Sequence, residues 1–156
     1  ADTKIPSGLE DDYLLLYSPG GIIDERHDEL IDYCKDKKLQ IVSLGNYHAC
    51  AYINLLTIDP FQWLVLIREA TFVVTSSFHG VVFSVKFRKQ FISSPNKASY
   101  NKISSLLHEF NLSDRIFYHS EDELTHDDIN YDSLQPLIDT KIEQSRMTLF
   151  NFLGVL

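Results

Sequence analysis

The sequence predicts an α/β fold: a Rossmann-like, three-layer α/β/α domain with a mostly parallel sheet. Three observations carry that expectation. Short apolar runs at residues 13–17, 39–44, 71–75 and 90–93 have the length and composition of buried strands. Stretches with helical spacing lie between them, and strand, helix, strand in that order argues for parallel βαβ units. Finally, the stretch 70–91, ATFVVTSSFHGVVFSVKFRKQF, leaves an apolar strand through small hydroxyls, His79 and Gly80, and turns straight back into apolar sequence. Open α/β sheets bind ligands beyond the carboxyl ends of their strands, so function is expected at this turn.

In chain order, Tyr13-Leu14-Leu15-Leu16-Tyr17 is a buried strand ended by Ser18-Pro19-Gly20-Gly21, a glycine loop. Asp24 is the expected N-cap of a helix running to Lys38, with Leu30, Ile31 and Cys34 on its apolar face and Lys35, Lys37 and Lys38 suiting its C-terminal dipole. LQIVSL at 39–44 is the next strand, closed by Gly45-Asn46. Residues 46–57 carry no clear period and read as a loop. Asp59-Pro60 starts a helix, since Pro suits the first helical position and Asp the cap; Phe61, Leu64, Val65 and Ile67 supply its buried face up to Ala70.

After Gly80, the alternation of Val81, Phe83, Val85 and Phe87 slightly favours a strand, while Phe78, Val81, Val82 and Val85 fit a helix. Helix is preferred, because the apolar run 90–93 has to be the next parallel strand and requires a crossover before it. A loop at 94–97, an amphipathic helix over 101–110, a small strand within 114–118, an acidic turn-rich stretch over 121–132 and a long helix over 134–153 complete the chain.

The 156 residues favour one domain, 13–156, after an irregular lead-in at 1–12 that leaves room for a longer parent protein. At 44% hydrophobic residues the chain is not of disordered type. A formal charge of -8 without a basic stripe disfavours nucleic acid and anionic membrane as partners. Cys34 and Cys50 form no framework, so a reduced, cytoplasmic setting is the simpler reading. No apolar run approaches the ~20 residues of a membrane span, and the polar start ADTKIPSG carries no signal peptide.

His79 leads the candidate residues. A histidine at a strand-to-helix corner can hydrogen-bond an anion or act as a general acid or base near neutral pH; it can equally be a buried structural histidine bonded to backbone. Ser76, Ser77 and Gly80 can present hydroxyls and backbone N–H groups to a phosphate at a helix N-terminus, a use compatible with plain serine capping. Lys97 and Lys102 follow the last core strand and can reach an anionic ligand at the same edge, although lone surface lysines are usually only solvated. Neither a Walker loop nor a Gly-x-Gly-x-x-Gly fingerprint is present. The histidines and acids at 48–50 and 119–126 lack the spacing of a closed metal site, and no cofactor is expected.

At Thr75-Ser76-Ser77-Phe78-His79-Gly80 the chain resembles the polysaccharide pyruvyl transferase family, specifically its C-terminal half. The resemblance is carried by Ile67-Arg68-Glu69-Ala70, the strand Phe72-Val73-Val74-Thr75, the Ser77-Phe78-His79-Gly80 block, Phe83-Ser84 and Lys89-Gln90-Phe91-Ile92. Lys102-Ile103-Ser104-Ser105-Leu106-Leu107, Asn111-Leu112-Ser113-Asp114-Arg115, Ser145 and Phe152-Leu153 continue it. It implies one half of a glycosyltransferase-B-like, two-domain enzyme that moves a pyruvyl group from phosphoenolpyruvate to sugar hydroxyls of an exported or surface glycan. It implies, too, a cytoplasmic location that extends to the inner face of the membrane, and a sugar or lipid-linked glycan as acceptor. Acceptor contacts come from an N-terminal domain that is missing here. By the resemblance His79 sits at the donor. Some members carry Arg two residues before that histidine, where this chain has Ser77, and Lys102 stands where others have Arg; lysine does not reproduce the guanidinium fork.

Two rival classes share the architecture: a glycosyltransferase using a nucleotide sugar, which needs a site for base and ribose, and a non-catalytic binding domain. Fold alone does not separate them.

Overall fold

The computed structural model describes residues 8–9, 12–18, 22–119, 121–124 and 127–153. Five strands, β1 (Tyr13–Tyr17), β2 (Gln40–Leu44), β3 (Ile53–Leu55), β4 (Phe72–Thr75) and β5 (Gln90–Ser93), form one sheet in the order β3-β2-β1-β4-β5, with every pair parallel. The helices are α1 (His27–Lys37), α2 (Pro60–Glu69), α3 (Phe78–Lys86), α4 (Tyr100–Glu109) and α5 (Tyr131–Leu153). The chain steps outward from β1 through β2 to β3. It then returns through α2 to the other side of β1, where Tyr17 pairs with Thr75 of β4. The strand order therefore reverses between β1 and β4, and the crevice beyond their carboxyl ends is the ligand position of a Rossmann-like sheet.

The central strands read as unbroken apolar runs because both faces of the sheet are covered. On one face Tyr13, Leu15, Val42, Val73 and Phe91 pack with Leu66 of α2, Val81 and Val85 of α3, Ile103 of α4 and Ile138 of α5. On the other, Leu14, Leu16, Val74 and Ile92 pack with Leu30 and Cys34 of α1, joined by Ile23, Phe117 and Leu124 from irregular segments. Each such side chain contributes roughly 1.5–3 kcal/mol on full burial. Polar anchors fix the helices along the chain: the Tyr13 hydroxyl donates to the Leu66 carbonyl at 2.6 Å, and the Tyr131 hydroxyl donates to the Lys89 carbonyl at 2.6 Å. Lys89 in turn reaches the Ala70 carbonyl at 2.9 Å, and burial lowers the pKa of its amine from the usual lysine value.

Several expectations need correction. Helix α1 begins at His27, not at Asp24, which falls in a 3-10 turn over Ile22–Glu25. That turn is pinned by the fully buried Ile23, whose N–H donates to the Ser94 hydroxyl at 3.1 Å. The stretch 46–57 is not all loop, since it contains β3, an edge strand hydrogen-bonded to β2 alone. The small strand expected within 114–118 is instead a 3-10 turn, Ser113–Arg115, followed by a single bridge from Ile116 to Ser93. Helix α5 starts three residues before the expected Leu134. The stretch 121–132 is partly packed: Leu124 and Ile129 are buried, and the Asp122 carboxylate accepts the N–H groups of Tyr118 and His119 at 2.7 Å each. The glycine loop at 19–21 and most of the lead-in at 1–12 lie outside the described residues. Among the described residues no helix is long and apolar enough to cross a membrane.

Candidate functional site

The candidate site is the β4–α3 turn. Strand β4 ends at Thr75, whose hydroxyl accepts the Ser77 N–H at 3.1 Å. Ser77 has extended backbone and is the N-cap of α3; its carbonyl accepts the first intrahelical bond, from Val81 N at 3.1 Å. The Ser77 hydroxyl reaches the Gly80 N–H only at 3.5 Å. The N–H groups of Phe78 and His79 precede the first intrahelical bond, so they belong to the unsatisfied donors of a helix start. Helix α3 runs nine residues, and its dipole adds positive potential at that end.

His79 lies in this first turn and is exposed; its ring meets the edge of the Phe78 ring at 6.0 Å. The buried, backbone-bonded histidine that the sequence left open does not describe it. The Lys102 amine, from the first turn of α4, sits 5.8 Å from the centroid of the same Phe78 ring, within cation–π reach. Phe78 thus has a ring contact with each of His79 and Lys102. Lys97 is exposed in the turn between β5 and α4. That turn is tied to the site by Ser99, whose hydroxyl donates to the Ser76 carbonyl at 3.2 Å.

Gly80 owes its identity to packing. A Cβ there would come 2.2 Å from the Thr75 Oγ1 and 2.9 Å from the Thr75 Cβ, so the close approach of α3 to the end of β4 requires glycine. The same approach delivers the start of α3 to the switch point.

Sequence reasoning missed Ser18, the residue that follows β1. It is fully buried and its hydroxyl has no hydrogen-bond partner among the described residues; Ser76, 2% exposed, is in the same condition. A buried hydroxyl left unpaired costs about 1–3 kcal/mol. Nothing local in the sequence marks Ser18, because its place beside Ser76 follows from the strand order.

The remaining groups do not join this site. A cavity of about 540 Å³ beside α4 is lined by Tyr100, His108, His119 and Asp122 among others, and by neither His79 nor Ser76. His48 meets His27 ring to ring at 3.3 Å. Cys34 is a core residue whose thiol is pushed up to about 12 by burial and by the nearby Cys50. Among the described residues no group of three or more His, Cys, Asp or Glu is placed to share a metal ion.

The family model described as "Polysaccharide pyruvyl transferase" matches residues 2–98, more than half of the chain and a span that includes β1 to β5. Lys102, α4 and α5 lie beyond it. No curated protein matches the chain. Among solved structures, UDP-GlcNAc 2-epimerase from Methanocaldococcus jannaschii is similar, with a TM-score of 0.51 at 10% identity. The alignment covers 84% of this chain and 39% of that one. At this identity the likeness shows the fold alone.

Proposed function

The chain belongs to the polysaccharide pyruvyl transferase family, and on that premise we propose that it forms the donor-binding part of an enzyme that transfers a pyruvyl group from phosphoenolpyruvate to a sugar. The product is a pyruvate ketal on two hydroxyls of an exported or surface glycan. The remainder of the acceptor site comes from an N-terminal domain, and the acceptor is a sugar or a lipid-linked glycan met on the cytoplasmic side of the membrane.

One observation carries this reading: an exposed histidine sits on the open first turn of a helix, beyond the carboxyl end of a central strand, where the strand order reverses. Free N–H groups and the dipole at that turn suit a phosphate. In the proposed reaction a sugar hydroxyl oxygen bonds to C2 of the enolpyruvyl group and loses its proton to base, while an acid gives a proton to C3, which becomes a methyl group. The bond from C2 to the phosphate oxygen then breaks, phosphate leaves with the electron pair, and a second hydroxyl adds to C2 and passes its proton to the departing phosphate, closing the ketal. His79 is the acid that protonates C3. Ser76, Ser77, Gly80 and the N–H groups of the turn hold the phosphate, where preorganised donors act without reorganisation. Lys97 and Lys102 add positive charge at the rim.

The test is acceptor-dependent phosphate release from phosphoenolpyruvate by the full enzyme, with ketal formation followed by NMR. His79→Ala is expected to lower turnover by about 100-fold or more, the range of a lost general acid. Turnover near the wild-type level would remove His79 from the chemistry.

A further inference from the structure

We infer that Ser18 is a second donor contact, taking the carboxylate of the enolpyruvyl ligand while the start of α3 takes its phosphate. This rests on the phosphoenolpyruvate reading above and adds to it a residue from a different strand. The argument begins with how hydroxyls are used along the carboxyl edge of the sheet. Ser43 donates to the Asn46 carbonyl at 2.6 Å, Ser93 donates to the Thr75 carbonyl at 3.2 Å, and Ser94 accepts the Ile23 N–H. Thr75 and Ser99 are committed likewise. These hydroxyls close the fold.

Ser18 and Ser76 differ. Their backbones are tied down: the Ser18 carbonyl accepts from the Asn46 side-chain amide at 3.2 Å, the Ser76 N–H donates to the Tyr17 carbonyl at 3.2 Å, and the Ser76 carbonyl accepts from Ser99. Their hydroxyls, at 0% and 2% exposure, have no partner among the described residues. Both follow the last residue of a strand, and those strands, β1 and β4, are the neighbours between which the order reverses.

Adjacent strands lie ~4.8 Å apart, so two donors stand side by side across the switch point, one of them at the entrance to α3. The two acidic groups of an enolpyruvyl phosphate are carried on the same carbon, C2, and point apart by a comparable span. The helix start, with its several N–H groups, suits the more highly charged phosphate; a buried neutral hydroxyl donor suits a carboxylate oxygen, since bonds to charged acceptors are the strong ones. Both hydroxyls are enclosed in the free chain, so the donor reaches them as the crevice opens. Tyr17, next to Ser18, meets Trp63 edge to face at 5.5 Å. Trp63 is the one tryptophan of the chain and reports that opening.

The experiment titrates the full chain with phosphoenolpyruvate and, separately, with inorganic phosphate, following Trp63 fluorescence, and records thermal melts of the free proteins. Ser18→Ala is expected to weaken phosphoenolpyruvate binding about tenfold, to leave phosphate binding within about twofold of wild type, and to melt no lower than wild type because its hydroxyl has no bond to lose. Ser93→Ala, whose hydroxyl is bonded, is expected to melt lower and to leave the ratio of the two affinities unchanged. Unchanged phosphoenolpyruvate affinity in Ser18→Ala overturns the inference, as does an equal loss for both anions or a lowered melting temperature. If wild type binds neither anion, the donor reading falls and this inference falls with it.

Discussion

A methyl group at position 80 would meet the Thr75 side chain at less than van der Waals contact. That residue-scale constraint joins fold and site, since the glycine lets α3 begin directly at the end of β4. In an open helix Gly→Ala gains about 1 kcal/mol of propensity; here overpacking, typically 1–3 kcal/mol, opposes and exceeds it. Gly80→Ala is therefore expected to lower stability by up to about 2 kcal/mol in urea denaturation, with partial recovery in the Thr75→Ala background, where the Oγ1 is gone. Equal or greater stability in the single variant would mean that α3 does not press on β4 as described. His79 contrasts with its neighbour: it is exposed, and among the described residues its ring meets that of Phe78. The Ser-Phe-His-Gly block was singled out from residue types alone, and the structure places it at the β4–α3 turn. That Gly80 is needed by Thr75 was not, because a contact across a corner leaves no periodic trace.

At the scale of elements, the signals that proved readable were local ones. Asp59-Pro60 announced a helix start, and the structure supplies the full capping box: the Asp59 carboxylate accepts from Phe61 and Gln62 N–H at 2.8 and 2.9 Å, and the Gln62 side chain accepts the Asp59 N–H at 3.3 Å. Asp59→Ala is expected to cost about 1 kcal/mol in the midpoint of chemical denaturation, with the slope unchanged; no shift would show that tertiary packing alone sets the start of α2. Helix α3 was readable only through topology, because its alternation favours a strand while the parallel pairing of β4 with β5 demands a crossover. Elements without a local signature were lost. Strand β3 has three half-buried residues and a single partner, too short for a period. The turn at Ser113–Arg115 was mistaken for a strand, although Asn111 just before it sits at φ 56, a left-handed conformation that Gly and Asn adopt most readily. The buried Arg115, whose guanidinium bonds the Asp127 carbonyl, serves the packing of this segment.

At the scale of the whole molecule, the fold class, the parallel sheet and its two covered faces followed from apolar runs and their spacing. The strand order and the place of its reversal did not, because they record which side of β1 each crossover lands on. That one global fact puts Ser18 beside Ser76 and brings the start of α3 to the crevice. The long α5 adds a surface of another kind. Its first turns bury Tyr131, Leu134 and Ile138, while Ile142, Met147, Leu149, Phe152 and Leu153 stay exposed along the rest. Nothing among the described residues covers them.

The central claim is that the β4–α3 turn binds phosphoenolpyruvate. The most direct measurement is an NMR titration of the chain with phosphoenolpyruvate, set against inorganic phosphate and a UDP-sugar, in wild type and His79→Ala. Binding as weak as ~1 mM, about -4 kcal/mol, has to be detected, so titration extends to several times that concentration. The account predicts phosphoenolpyruvate shifts centred on Ser76, Ser77, His79 and Gly80 that are larger than those from phosphate and are lost in the variant. Shifts at this turn with the UDP-sugar alone, or phosphoenolpyruvate shifts centred elsewhere and unchanged in His79→Ala, would contradict it.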